Sequence, residues 1–179
     1  MKFGDHLNPQ LDQREDQRNS MRINLTPEEI RIVKFIGKAR RDNAQKYNKD
    51  KQISKIEPYQ LDIDGFMGEF IVAKAFNLMP DFELSEKKKS FDLIDGDGNK
   101  IDVKSSRIDN IKLRITEYHD KDPCDIYVLC IVDDTGGEIK CWASWDYIKA
   151  NSYKEQSVNK FGGLSTCYAI SQHQLNKYE

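Results

Sequence analysis

The chain has 179 residues, 38% hydrophobic and 32% charged, with a formal net charge of -2, which is the profile of one soluble globular domain long enough to bury a core. No apolar run approaches the roughly 18 residues of a membrane span, and the polar N-terminus lacks the apolar stretch of a secretory signal, so a cytoplasmic protein is expected, with no membrane partner. The charge is uneven: the leading third is basic and residues 58–104 are acidic, a distribution suited to polyanion contact beside a cation site.

Residues 1–24 hold few large apolar side chains and no sustained period, and read as a mobile N-terminal arm. A single domain is expected over 25–179. It opens at "LTPEEI", where Thr26 is placed to cap a helix, Pro27 to start it and Glu29 to complete a capping box. On that helix, reaching about Tyr47, the residues Arg31, Lys34, Lys38 and Arg41 share one narrow arc, while Ile30, Ile32, Val33, Phe35, Ile36 and Ala39 fill most of the rest. The basic arc is either a solvated face or a ridge that contacts phosphates. A second helix is expected from near Gly65 to before Pro80. At about 100° per residue Glu69 falls between Phe76 and Ala73 on its apolar face, with Lys74 and Asn77 on the open side. An unpaired carboxylate buried there costs several kcal/mol, so it must be protonated, paired or given a metal.

After the basic loop "EKKKS" comes a hairpin, "FDLIDGDGNKIDVKSS". Phe91 and Leu93 alternate with Asp92 and Ile94, and Ile101 and Val103 with Asp102 and Lys104. With residues 95–99 as the loop, Ile94 pairs with Lys100 and Asp92 comes opposite Asp102. Like charges so placed repel unless a cation bridges them. Two aspartates, joined by Glu69, form an all-oxygen set suited to Mg²⁺, with Mn²⁺ able to substitute. Lys104 is then positioned to hold a water and to stabilise charge developing on a phosphate, or else forms a salt bridge with one of the aspartates. A calcium loop starting at Asp95 is excluded, because Lys100 stands where the tight-turn glycine is needed and Ser106 where a bidentate glutamate belongs.

Downstream, "IKLRI" alternates apolar Ile111, Leu113 and Ile115 with Lys112 and Arg114, a half-buried strand. "DIYVLCIV" is a strand covered on both faces, turning through "DDTGGE" into "IKCWA". Ser144 caps a short helix through Ile148, and the strand "TCYAI" leads into "SQHQLNKY", where Ser171 and Gln174 have capping-box spacing. Cys124, Cys130, Cys141 and Cys167 show no CxxC spacing and read as small buried hydrophobes rather than a zinc site or a disulfide framework. His6, His119 and His173 are scattered, His119 in an exposed loop. No GxSxG or GxxxxGK[ST] motif occurs.

From about Asp62 to Ile170 the chain resembles the PD-(D/E)xK nuclease superfamily. The match rests on Glu69 in "GFMGEF", Asp92, and "IDVKSS" with Asp102 and Lys104, in that order. The "DGFMGE" segment is similar to small phage-borne members. The resemblance implies an α/β fold with a restriction-endonuclease-like core: a helix, a three-stranded meander, a helix and a further strand, forming a central mixed β-sheet flanked by helices, here with an N-terminal helical extension. It implies a metal bound by Asp92, Asp102 and the Val103 carbonyl, with Glu69 bound directly or through water, and Lys104 activating the attacking water. The reaction implied is phosphodiester hydrolysis in DNA, leaving a 5′-phosphate and a 3′-hydroxyl. No organic cofactor is implied, and a homodimer is left open. Contacts to DNA are expected from Arg31, Lys34, Lys38, Arg41, Ser105, Ser106, Arg107, Lys112 and Arg114. Two departures stand out: Phe91 replaces the motif proline, and residues 107–124 read as strand and loop where the core's second helix belongs. The competing class is a catalytically silent nuclease-fold module that binds nucleic acid or a protein. A metal-stabilised structural protein would leave Lys104 without a role.

Overall fold

The computed structural model describes residues 21–46, 57–84, 90–158 and 163–175. Residues 1–20 of the arm expected over 1–24, and the loop lysines of "EKKKS", lie outside them. The end of that arm is ordered: strand β1 (Met21–Asn24) pairs antiparallel with a later strand, Met21 opposite Ile139. Helix α1 (Pro27–Lys46) starts as expected. Thr26 N–H donates to Glu29 Oε2 at 2.7 Å and Glu29 N–H to Thr26 Oγ1 at 3.2 Å, which satisfies two orphan amides reciprocally. Val33, Ile36 and Gly37 are buried on it, but Ile32 and Phe35 are not, and Phe35 is 70% exposed. Phe35 lies next to the basic arc rather than opposite Arg31, so it shares that arc's outward direction.

Helix α2 (Pro58–Phe76) begins seven residues before Gly65. The Glu57 side chain accepts from Gln60 N–H at 3.0 Å and Pro58 occupies the first turn, where proline's missing N–H costs nothing. The turn-like "DIDG" is absorbed because Ile63, Phe66, Met67, Ile71, Val72 and Ala73 are all buried, and tertiary burial outweighs local propensity. Asn77 ends the helix in the left-handed region, φ 54°. Two glycines set how closely this helix is packed. A Cβ on Gly37 would lie 2.6 Å from Ile63 Cα, and one on Gly68 would lie 1.9 Å from Ser105 Oγ.

The strands form two sheets. The first is β1, β2 (Leu93–Ile94), β3 (Lys100–Ser106), β5 (Ile126–Asp133) and β6 (Gly136–Ser144), in the order β1-β6-β5-β3-β2. β3 and β5 are parallel and the other pairs antiparallel, so the sheet is mixed and the fold is α/β. β5 is buried almost throughout, as its apolar run demanded. The second sheet is β4 (Leu113–Thr116), β7 (Tyr153–Val158) and β8 (Leu164–Ile170), in the order β4-β8-β7. β7 had no counterpart in the sequence reading. Ser144 caps α3 (Trp145–Asn151) by accepting from Tyr147 N–H at 3.2 Å. The short α4 (Gln172–Leu175) follows Ser171, whose N–H donates to Gln174 Oε1 at 3.2 Å.

Each face of the first sheet has its own core. Ile101, Val103, Val128 and Cys130 pack with α1 and α2, whereas Tyr127, Leu129, Cys141 and Ala143 pack with Leu113, Ile115, Tyr168 and Ile170 of the second sheet and with Ile148 of α3. The two long helices therefore cover one face only. The parallel connection from β3 to β5 runs through β4 and a 3-10 turn, Glu117–Lys121, where the resemblance implied an α-helix. All four cysteines are buried and free.

Candidate functional site at the edge of β3

The hairpin register is Leu93 opposite Ile101 and Ile94 opposite Lys100, as loop 95–99 required. Asp95 organises that loop, accepting from Asp97 N–H and Asn99 N–H at 2.9 and 2.8 Å and from Asn99 Nδ2 at 2.7 Å. Pairing then stops at Leu93, while β3 continues beside β5 to Ser106. The two strands fork at Asp92. Its N–H donates to the Ile101 carbonyl at 2.8 Å, and its Oδ2 accepts from Val103 N–H at 2.7 Å. The Asp92 carboxylate thus takes the place of the next rung. Alternation breaks here as well: Leu93 packs in the helix-side core and Phe91 against the other core, so the two do not share a face.

An extended residue aims its N–H and its carbonyl at the same neighbour. Val103 N–H points to the fork, so its carbonyl does too. Asp102 and Lys104 are in register with Tyr127 and Leu129 and share their face, away from α2. Lys104 Nζ lies 2.6 Å from Asp102 Oδ2. The approach is off the hydrogen-bond angles, and buried Asp102 Oδ2 accepts no hydrogen bond. Behind this pair, burial and then the Asp102 and Asp92 charges push the Cys124 thiol up to about 12, against Lys104 and Lys100.

Glu69, on α2, feels the charge of Asp92. It is 7% exposed. Burial, and next the charge of Asp92, push its carboxyl up to about 7 despite the opposing pull of Arg40. Arg40 went unnoticed in the sequence. Its Nη1 lies 2.8 Å from both Glu69 oxygens, its Nη2 donates to the Asp81 carbonyl at 2.8 Å, and its guanidinium stacks 4.6 Å from the Phe66 ring centre. A signal was there to be read: Arg40 falls opposite Arg31 on the helical wheel, among Val33 and Ile36.

Asp92, Asp102, Val103 and Lys104 therefore meet at one sheet edge, with Glu69 coupled to it through Asp92. Among the described residues no three His, Cys, Asp or Glu side chains form a ready cation cage. The residues nonetheless suit a hard cation. The donors are all oxygens, Asp102 Oδ2, already held against the Lys104 cation, accepts no hydrogen bond, and Mg²⁺ is commonly held by one or two carboxylates with water filling its octahedron.

The proposed DNA contacts do not form one surface. Arg31, Lys34 and Lys38 are exposed on α1, with Arg31 paired to Glu28 at 2.6 Å. Arg41 leaves that arc: it is 3% exposed and lies 3.6 Å from Asp62. Ser105 Oγ is buried against α2 at Gly68, and Ser106 Oγ accepts from Ile108 N–H at 2.9 Å. Arg107 ties the N-terminal half of α2 to the β5–β6 turn, through Asp64 at 2.8 Å and Asp134 at 2.8 Å. Lys112, just before β4, and Arg114 on it converge on Glu155 in the second sheet, at 2.9 and 2.5 Å. His119 is half-buried beside the Tyr127 hydroxyl at 3.3 Å rather than exposed.

The fold and this edge define an α/β protein with a carboxylate-and-lysine cluster where a strand pair forks. Residues 19–136 match DUF5843, a family of unknown function. The match covers more than half of the chain, and the protein belongs to that family. No curated protein matches it. No helix among the described residues is long and apolar enough to cross a membrane.

Proposed function

We propose that the protein is a Mg²⁺-dependent DNA endonuclease with the restriction-endonuclease-like core that its motifs resemble. The observation that supports this reading best is the fork at Asp92, where the Asp92 carboxylate and the Val103 carbonyl meet at an unpaired strand edge and the Asp102–Lys104 pair flanks Val103 on the same strand. Asp92, Asp102 and the Val103 carbonyl are the groups that would hold the ion, and Glu69 would join them directly or through water. The bound ion would supply Lewis-acid stabilisation of the scissile phosphate and a more acidic water. Asp102 keeps Lys104 at the edge by charge. From there its ammonium can hold the attacking water and meet the negative charge that builds on the phosphate oxygens, an interaction strongest in the transition state. Arg31, Lys34 and Lys38 would add phosphate contacts that depend on salt but carry no sequence information.

A second reading, a nuclease-fold module that binds without cutting, is favoured by the Arg40 contact that occupies both oxygens of Glu69. Incubation with duplex, nicked, branched and single-stranded DNA, in Mg²⁺, Mn²⁺ or EDTA, separates the two. Metal-dependent cleavage of any of these supports the nuclease. Binding without cleavage under every condition puts the module ahead.

A further inference from the structure

Helix α1 turns cations and an aromatic ring outward together. At about 100° per residue, Lys34, Lys38 and Arg31 fall within about 60° of one another, with Phe35 about 40° to one side of Arg31 and Ile32 beyond it. Phe35 is 70% exposed and Ile32 44%. Arg31 stands four residues before Phe35 and Lys38 three after it, the spacings that make helix side chains neighbours. A row of cations therefore runs alongside an apolar row. The exposed residues of α1 hold four cations, Arg31, Lys34, Lys38 and Lys46, against two acids. Those acids are Glu28, paired with Arg31 at 2.6 Å, and Asp42, which accepts the Tyr59 hydroxyl at 2.7 Å. The face points away from Glu69, because Arg40, which holds that carboxylate, lies nearly opposite Phe35's arc on the wheel.

We infer that this face is a docking surface for single-stranded DNA, its cations contacting phosphates while Phe35 stacks on an unpaired base. The excess of cations calls for an anion, and the exposed ring calls for one with a flat apolar face beside its charge. A single strand offers both along its length. A duplex keeps its bases stacked inside, so it can use the cations but not the ring. An acidic lipid surface fits less well: a helix lying in a membrane needs a broad apolar face, and the apolar side of α1, with Val33 and Ile36, is buried in the protein's own core. The inference rests on the reading of the protein as one that binds DNA and adds an unpaired strand as the class of substrate. It requires neither a metal nor cleavage.

Fluorescence anisotropy of a labelled oligothymidylate and of a duplex of equal length, both in EDTA, compares the full wild-type chain with Phe35→Ala, Phe35→Leu, Phe35→Trp and the double variant Lys34→Ala, Lys38→Ala. All three positions are exposed, so the variants should fold. Phe35→Ala should weaken single-strand binding on the order of tenfold and leave duplex binding nearly unchanged. Tryptophan should keep the wild-type affinity, whereas leucine, apolar but unable to stack, should not. Removing both lysines should weaken binding of both DNAs and flatten its salt dependence. If wild type binds the single strand and either Phe35→Ala or Phe35→Leu binds it equally well, no base stacks on Phe35, and the inference falls while DNA binding stands. If wild type binds neither DNA, the inference falls whether or not the protein takes up phosphatidylserine vesicles, which would make the face a membrane surface; the cleavage assay alone then decides the nuclease reading.

Discussion

The edge of β3 and the outer face of the second sheet are both rich in charge, and they treat it in opposite ways. On the second sheet each charge meets an opposite one in the open. Lys112 and Arg114 share Glu155 and pull its carboxyl down to about 2, and Lys149 meets Asp120, whose other oxygen accepts the Tyr168 hydroxyl at 2.7 Å. At the β3 edge Glu69 and Asp102 are buried, each against a cation, Arg40 at 2.8 Å and Lys104 at 2.6 Å, and burial and then the charge of Asp92 push the Glu69 carboxyl upward. Charges that cancel locally make a surface. Charges paired under cover lose the screening of water, and their neighbours shift them further.

Removing the lysine from the buried cluster tests this contrast hardest. Lys104→Met keeps much of the side-chain volume and all the carboxylates, so Mn²⁺ titration should change little while cleavage falls by a factor on the order of 10² or more. Cleavage at the wild-type rate would make Lys104 equivalent to the lysines of the second sheet.

Next in size is the pH response of Glu69. Its folded carboxyl is raised from 4.5 to about 7, so between those values the folded protein holds more proton than the unfolded chain. Stability must fall as pH rises through that window. With metal removed by EDTA the drop is on the order of 3 kcal/mol, read as urea midpoints from pH 4 to 8. Glu69→Gln should flatten the curve, and an equal slope in the variant would show that the carboxyl does not titrate there.

The smallest effect belongs to the other region. Glu155→Gln removes the acid shared by Lys112 and Arg114, yet the melting temperature should move by no more than roughly 2 °C, because exposed pairs contribute little. A larger fall would mean that the second sheet depends on its charges and is not merely decorated by them.

What could be read in advance followed locality. The capping box at Thr26, the cap at Ser144 and the pairing of Ile94 with Lys100 are settled within a few residues of chain. Phe35 and Arg41 exchanged their expected places because one helix wheel does not say where the neighbouring helix lies. Strand β7 escaped because "YKEQSV" has little apolar alternation and is held by its register with β8, Tyr153 opposite Ala169. At the site, Asp92, Asp102 and Lys104 were legible because they are close in sequence. For Arg40 the wheel shows only that it lies on the inner face; its partner is a glutamate 29 positions away.

The connection from β3 to β5 also bears on how the protein is made. The chain leaves the first sheet after Ser106, lays down β4, and returns as β5, but β4 has no partner until β8 is synthesised some fifty residues later. A nascent chain ending before Leu164 would carry Leu113 and Ile115 uncovered, with Tyr127 and Leu129 of the central strand exposed behind them. Unpaired strand edges of this kind are where incomplete chains aggregate. The second sheet cannot be trimmed away as an appendage, because the connection from β3, which carries Asp102, to β5 runs through it, and the cell obtains a folded candidate site only from chains translated beyond β8.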